Sequence, residues 1–311
     1  MKFHNGCWLF KEGIECFSPQ HVYEVRKSEK EVTLVAPTNR INHKGDTLGG
    51  INLTVKISTP MPEVIRIQTW HHRGGAEKAP EFELELPKDS SIEVVEEGNL
   101  LTVKSGHLSL VIDKENWSMR YERDGGLLTK SGWRDLSYLK GDWKGFAYDK
   151  GGNAYMRQQL GLSVDELIYG LGERFAPLVR NGQSVEIWNE DGGTSTDQSY
   201  KNIPFYLSNR GYGVFVNHPE KVEFEVATEQ VSKVGFSVKG ECLDYFFIDG
   251  PTMKDVLGRY TDITGKPALP PQWTFGLWLS TSFTTDYDEK TVMSFIDGMQ
   301  ERGIPLSVFH F

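Results

Sequence analysis

Several groups of residues have the types that chemistry needs, and each is first weighed against its own neighbourhood. Asp191 stands in Trp188-Asn189-Glu190-Asp191-Gly192-Gly193, where an aspartate ahead of two glycines reads locally as a turn residue bonding its own backbone. Glu173-Arg174 offers an acid beside a cation, but adjacent Glu and Arg are common, and a structural ion pair or turn anchor is the simpler reading. His71-His72 pairs two metal-ligand types, yet neighbours on a strand point to opposite faces, so solvated or core histidines are expected and no metal site. Gly170-Leu171-Gly172 begins like a phosphate loop, but no G-x-G-x-x-G is completed before a helix, and no cofactor is expected. His107 or His218 could act as the acid in sugar ring opening, although nothing in the sequence fixes their geometry. Cys7, Cys16 and Cys242 are an odd number without a CxxC, which supports neither a disulfide framework nor a zinc ribbon.

The elements that must position these residues are mostly strands. Ile51 to Ile57 alternates apolar and polar side chains, and Val64 to Gln68 and Phe82 to Leu86 repeat the pattern. Ile92 to Val95, Leu100 to Val103 and Leu108 to Ile112 follow, separated by Glu97-Gly98-Asn99 and Ser105-Gly106-His107, which are hairpin signals. Further strands are expected at Gly213 to Val216, Val222 to Val226, Val234 to Val238 and Leu243 to Ile248. Strands with one wet and one dry face, at hairpin spacing, predict antiparallel sheets packed as a sandwich over residues 1–250. Lys130 to Tyr155, with Trp133, Trp143 and Gly151-Gly152, has no sustained period and reads as an irregular connection.

At Asp249-Gly250-Pro251 the pattern changes. Pro251 suits a first helical turn, Met253, Val256, Leu257 and Tyr260 recur at helical spacing, and Gly265 and Pro267 stop the helix. Residues 251–270 thus form a helix and a Pro-rich linker. From 271 to 311 the order is an apolar strand at Phe275 to Leu279, a loop, a helix capped by Asp288 and broken at Gly303, and a strand at Ile304 to Phe311. Strand, helix, strand predicts a parallel pair, which needs cover on both faces. A complete (β/α)₈ barrel takes about 250 residues, so the reading is the truncated start of such a barrel. Its uncovered strands are an aggregation hazard, and a cut near Pro251 is expected to raise solubility.

The chain has 311 residues, 34 Lys+Arg against 43 Asp+Glu and a formal net charge of −9. This acidic balance argues against nucleic acid as a partner, since a binder needs a basic stripe. No apolar stretch is long enough to span a bilayer, and the first residues lack the apolar core of a signal peptide, so a cytoplasmic location and no membrane partner are expected. Aromatic residues reach 12%, which suits packing against sugar rings as well as a filled β core.

Read together, several segments resemble glycoside hydrolase family 31, and its α-xylosidase branch most closely. They are Tyr169-Gly170-Leu171-Gly172-Glu173-Arg174-Phe175, Trp188 to Thr196, Ile203-Pro204-Phe205-Tyr206, Asn209 to Pro219, Ala268-Leu269-Pro270-Pro271, and Phe275 to Leu279 with the loop Thr281 to Thr285. The likeness is densest from about residue 165 to 311. It implies a galactose-mutarotase-like β-sandwich followed by a TIM barrel, in a hydrolase removing terminal α-xylosyl residues from oligosaccharides with retention of configuration and without a metal. The family's nucleophile and acid/base are aspartates on later barrel strands, beyond Phe311, so no catalytic residue is assigned and the chain alone is expected to be inactive. The resemblance implies that Asp191 lies on a loop reaching the sugar site. It also implies that Phe283, past the carboxyl end of the first barrel strand, packs against the sugar and favours xylose. Trp278 reads as barrel core, and Trp188 as support for the Asp191 loop. The implied partner is a small carbohydrate, and the full-length protein is a candidate homo-oligomer. The alternatives are an α-glucosidase of the same family, a non-catalytic carbohydrate-binding module and, last, a sugar mutarotase.

Overall fold

The computed structural model describes every residue except 7, 75–79, 142–153, 192–194 and 283. Two units follow one another along the chain, Met1–Gly265 and Lys266–Phe311.

The first unit is a sandwich. One layer is an eight-stranded sheet at whose centre Phe205–Ser208, Tyr212–Val216, Cys242–Asp249, Val64–Trp70, Asn52–Met61 and Glu31–Pro37 lie side by side. The other layer combines a five-stranded meander, Glu93–Glu97 through Gly126–Ser131, with a six-stranded sheet containing Ala154–Gly161, Gln183–Ile187, Val222–Val226 and Lys233–Lys239. Alternation explains the register. Leu53, Val55 and Ile57, Ile65 and Ile67, and Leu243, Tyr245 and Phe247 all point inward and are fully buried. A one-residue slip would expose each such set, at roughly 1.5–3 kcal/mol per side chain. The two layers meet through ring stacking of Tyr121 on Phe247 at 3.9 Å and a hydrogen bond between the Tyr121 and Tyr245 hydroxyls at 2.9 Å.

The tight turn at Gly106 shows how the layers are fastened. Its φ is +62°, and a Cβ there would stand 2.1 Å from Glu63 Oε1. Glu63 is buried and accepts from the backbone N–H of His107 and Leu108 at 3.0 and 3.1 Å, tying the turn before Val64–Trp70 to the meander.

The helix Met253–Thr264 lies on the outer face of the eight-stranded sheet. There Val256, Ile263 and Tyr260 pack with Val64, Phe205, Phe215, Phe246 and Ile248, and the rings of Phe205 and Tyr260 stack at 4.0 Å. Arg123 secures the helix entry, pairing with the Asp249 carboxylate and donating to the carbonyls of Gly211 and Gly250 at 2.6 and 2.8 Å. Thr252 caps the helix with Asp255 in a reciprocal box, so Pro251 stands before the cap rather than in the first turn.

Two further expectations change. Phe82 to Leu86 alternates like a strand but is not one. Its Glu85 N–H bonds the helix carbonyl of Ile263 at 2.8 Å, and Leu84 and Leu86 pack against the helix-covered patch. The stretch from Lys130, expected to be irregular, contains the end of strand Gly126–Ser131 and the strand Ser137–Gly141, which pairs with Ala154–Gly161. Trp143 and Gly151-Gly152 lie outside the described residues.

In the second unit, a 3₁₀ turn at Gln272–Phe275 precedes the strand Leu277–Leu279, so the expected strand starts two residues late. Asp288 caps the helix Glu289–Glu301 by accepting from Thr291 N–H at 3.1 Å. The strand Leu306–Phe309 then runs parallel to Leu277–Leu279, as the βαβ reading requires. Trp278, expected in a core, is half exposed and donates its indole N–H to the Thr274 carbonyl at 2.9 Å. One helix covers only one face of this pair.

Candidate functional site

Between Gln183–Ile187 in one layer and Phe205–Ser208 in the other, the chain crosses the sandwich through a loop that carries Asp191. Such a segment has few ladder bonds of its own, and two side chains supply them instead. Arg174 donates to the carbonyls of Leu171 at 3.2 Å, Asp197 at 3.0 Å and Glu186 at 3.3 Å, and to Asn202 Oδ1. Asn202 in turn donates from Nδ2 to the carbonyls of Trp188 at 2.8 Å and Ser199 at 2.7 Å and to Asn189 Oδ1 at 3.0 Å. Across the loop, Glu190 N–H bonds the Ser199 carbonyl at 3.0 Å and Glu173 N–H bonds the Lys201 carbonyl at 2.9 Å.

The Gly170-Leu171-Gly172 segment is the floor of this assembly. Gly172 has φ +88°, and a Cβ there would meet the Lys201 carbonyl oxygen at 2.3 Å, so only glycine allows this approach. Arg180, on the other side of the segment, donates to the carbonyls of Gly170 at 2.9 Å and Gly172 at 3.3 Å. Two guanidiniums therefore hold one short segment through carbonyl oxygens. Burial, and for Arg174 also the charge of Arg180, draws both below the usual arginine range. The expectation that Glu173-Arg174 is a structural anchor thus resolves into two roles. Glu173 forms an exposed 3.6 Å pair with Lys201, while Arg174 is the hub of the loop.

On this base Asp191 is exposed. Its carbonyl accepts from Gln198 Nε2 at 3.3 Å, and no described residue bonds its carboxylate. Trp188 supports the loop through its backbone carbonyl while its side chain is 52% exposed, and Tyr200 is 71% exposed. A carboxylate without a bond among the described residues, on a loop that also carries exposed aromatic side chains, can accept hydrogen bonds from hydroxyls, and the rings can offer faces to C–H groups. Phe283, the other residue expected at the sugar, lies outside the described residues. Arg180 and Asn202 carried no sequence signal. The pair of glycines was a signal of close backbone approach.

The histidines are otherwise engaged. His71 Nδ1 stands 2.6 Å from Glu241 Oε2, while His72 is exposed. His107 is exposed and pairs with Asp124 at 2.8 Å, a contact that raises its pKa. His218 is buried, with Nε2 accepting from Asp244 N–H at 2.8 Å and Nδ1 3.1 Å from Glu220 Oε2. Both of its ring nitrogens are occupied, so His218 does not stand ready as an acid for ring opening.

Comparison with known proteins gives these features a family. Residues 54–225 match the glycosyl hydrolase 31 N-terminal galactose mutarotase-like domain, and residues 267–311 match the family 31 TIM-barrel domain. The alpha-xylosidase XylQ of Lactiplantibacillus pentosus is 45% identical, covering 100% of this chain and 40% of that protein. An alpha-xylosidase of Emericella nidulans is 43% identical, covering 100% of this chain and 41% of that protein. The chain therefore spans about two fifths of the length of these curated relatives. Among solved structures, lmo2446 of Listeria monocytogenes EGD-e, in complex with α-D-glucose, β-D-glucose, magnesium and calcium, superposes with a TM-score of 0.75 at 25% identity. That match covers 95% of this chain and 27% of the Listeria protein. A mutarotase-like sandwich that gives way to the opening strands of a TIM-barrel domain is the family's own order of domains, and the chain belongs to glycoside hydrolase family 31.

Proposed function

We propose that the whole protein is a retaining α-glycosidase that removes terminal α-xylosyl residues from oligosaccharides. In this reading, the chain supplies its sandwich, the Asp191 loop and the first strand, helix and strand of its barrel. The single observation that carries the site is the Asp191 carboxylate, unbonded by any described residue, on a loop held by Arg174 and Asn202. The whole-chain likeness to two α-xylosidases supports the choice of xylose.

Retention needs two carboxyl groups about 5–5.5 Å apart, one attacking the anomeric carbon and the other protonating the leaving oxygen and then activating water. Both are assigned to barrel strands after Phe311. The role of Asp191 is to bind: a fixed carboxylate accepting hydroxyl hydrogen bonds orients the sugar before attack. Phe283 is assigned to the wall of the pocket, where it would crowd the hydroxymethyl group that glucose has and xylose lacks. A small carbohydrate is the partner, with no metal or cofactor required by the chemistry.

The test is the ratio of kcat/KM for aryl α-xyloside and aryl α-glucoside, measured on the full-length protein. A higher value for the xyloside supports the proposal, and a higher value for the glucoside transfers it to the α-glucosidase reading. Release of sugar by the 311-residue chain alone at an enzymatic rate would overturn the assignment of the catalytic carboxylates.

A further inference from the structure

Beside the helix-covered patch, the outer face of the eight-stranded sheet holds a cavity of about 190 Å³. Its base is polar, and one carboxylate sets the polarity of everything around it. Asp244 accepts from Arg66 Nε at 2.9 Å and from Arg66 Nη2, and its Oδ2 accepts from Asn217 Nδ2 at 2.9 Å and Gln68 Nε2 at 3.2 Å. An ionised carboxylate only accepts, so both amides must turn their NH₂ groups to Asp244. Their oxygens are thereby left over as acceptors. Neither oxygen has a partner among the described residues; Asn217 Oδ1 is closed off by its neighbours, and Gln68 Oε1 is the one left for the cavity. Arg66 uses Nε and Nη2 on Asp244, which leaves the two N–H groups of Nη1 as donors.

Gln68 Oε1 can accept from a ligand hydroxyl in the cavity. The pattern of an amide acceptor beside guanidinium donors fits groups that both donate and accept, which is the property of adjacent hydroxyls. Trp70 and Phe82 add aromatic surface to the lining, suited to the C–H face of a sugar ring. The charge of Arg66 is already neutralised by Asp244, and Glu81, Glu220 and Glu241 also line the cavity, which disfavours a phosphorylated or acidic ligand. The imidazole of His218 is held on both nitrogens, so the cavity has the means to bind a sugar but not to open its ring.

We propose that this cavity is a binding site for one neutral pyranose unit, built by Asp244 through Arg66, Gln68 and Asn217. It shares no residue with the Asp191 loop and does not depend on the assignment of xylosidase activity.

Saturation-transfer NMR on the 311-residue chain, with methyl α-D-xylopyranoside and methyl α-D-glucopyranoside, tests it. Transfer at millimolar sugar is expected, weakened about fivefold by Gln68→Met, which keeps the side-chain length and loses the acceptor together with the bond donated to Asp244. Phe82→Ala, which leaves the polar base intact, should weaken binding similarly, and melting curves identify whether either variant is folded. Val231→Ala, at an exposed side chain that lines neither the cavity nor the Asp191 loop, should leave the affinity as it is. Absence of transfer from either sugar would overturn the proposal. So would glucose 6-phosphate binding as tightly as the neutral glycosides, or binding abolished by Trp188→Ala yet untouched by Gln68→Met and Phe82→Ala in folded protein.

Discussion

The side chains of Arg174 and Asn202 are hydrogen-bonded to each other, and between them they reach backbone carbonyls at residues 171, 186, 188, 197 and 199. One contact thereby joins the Gly170-Leu171-Gly172 floor, the end of the Gln183–Ile187 strand and both arms of the Asp191 loop. A hydrogen bond of this kind contributes about 1 kcal/mol net, so the joint as a whole decides whether the loop has one shape or many.

Asn202→Ala removes three donated bonds and one accepted from Arg174. A loss of roughly 2–3 kcal/mol is expected, expressed mainly as local opening. The check is limited proteolysis together with thermal melting. Cleavage within residues 188–202 should accelerate severalfold, with a smaller shift in the global transition. A variant as resistant as the parent would show that the loop is held by other means.

A second prediction concerns pH. Burial opposes ionisation of Glu229, but hydrogen bonds from the His4 side chain and backbone and the charge of Arg157 outweigh it, and its pKa falls to about 2. The folded-state value lies below the ordinary 4.5, so the stabilisation is full above that value and disappears as pH falls through about 2. The shift corresponds to roughly 3 kcal/mol. Denaturant unfolding of the parent and Glu229→Gln should differ by about that amount between pH 5 and 7, and the gap should close towards pH 2. A gap that is constant with pH would assign the effect to packing of the Phe3 and His4 segment instead.

Much of the sandwich is legible because burying one face of a strand imposes period two, and Asn52–Met61 and Val64–Trp70 show it plainly. The same period misleads at Phe82 to Leu86, since an extended segment can alternate while its N–H at Glu85 goes to a helix end rather than a neighbouring strand. The site was legible only in part. Asp191 and the glycines at 170 and 172 stand out by type. Arg174, Arg180 and Asn202 act on backbone carbonyls, which every residue has, so no spacing in the sequence marks their partners.

The helix Met253–Thr264 bears on where the chain can be divided. From the sequence a cut near Pro251 promised better solubility, but in the folded unit that cut would strip Val256, Tyr260 and Ile263 from Phe205, Phe215, Phe246 and Ile248. Burial of two aliphatic side chains and most of a tyrosine is at stake, roughly 1.5–3 kcal/mol each. A chain ending at Gly265 should therefore melt higher and stay more soluble than one ending at Gly250. Soluble yield and melting temperature of the two decide it, and equal values would mean that the helix contributes nothing to the sandwich.

The last prediction returns to Asp191 in the full-length enzyme. Asp191→Asn keeps the shape of the side chain and replaces an acceptor-only carboxylate by a neutral amide. A hydrogen bond to a charged group is worth about 1.5–3 kcal/mol, so kcat/KM for an aryl α-xyloside should fall by roughly 10- to 100-fold. Because the carboxylate makes no bond within the described residues, the melting temperature should not move. A purely structural turn aspartate would give the opposite pair of results, with stability lowered and kcat/KM unchanged. Measuring both quantities on one preparation separates the two roles.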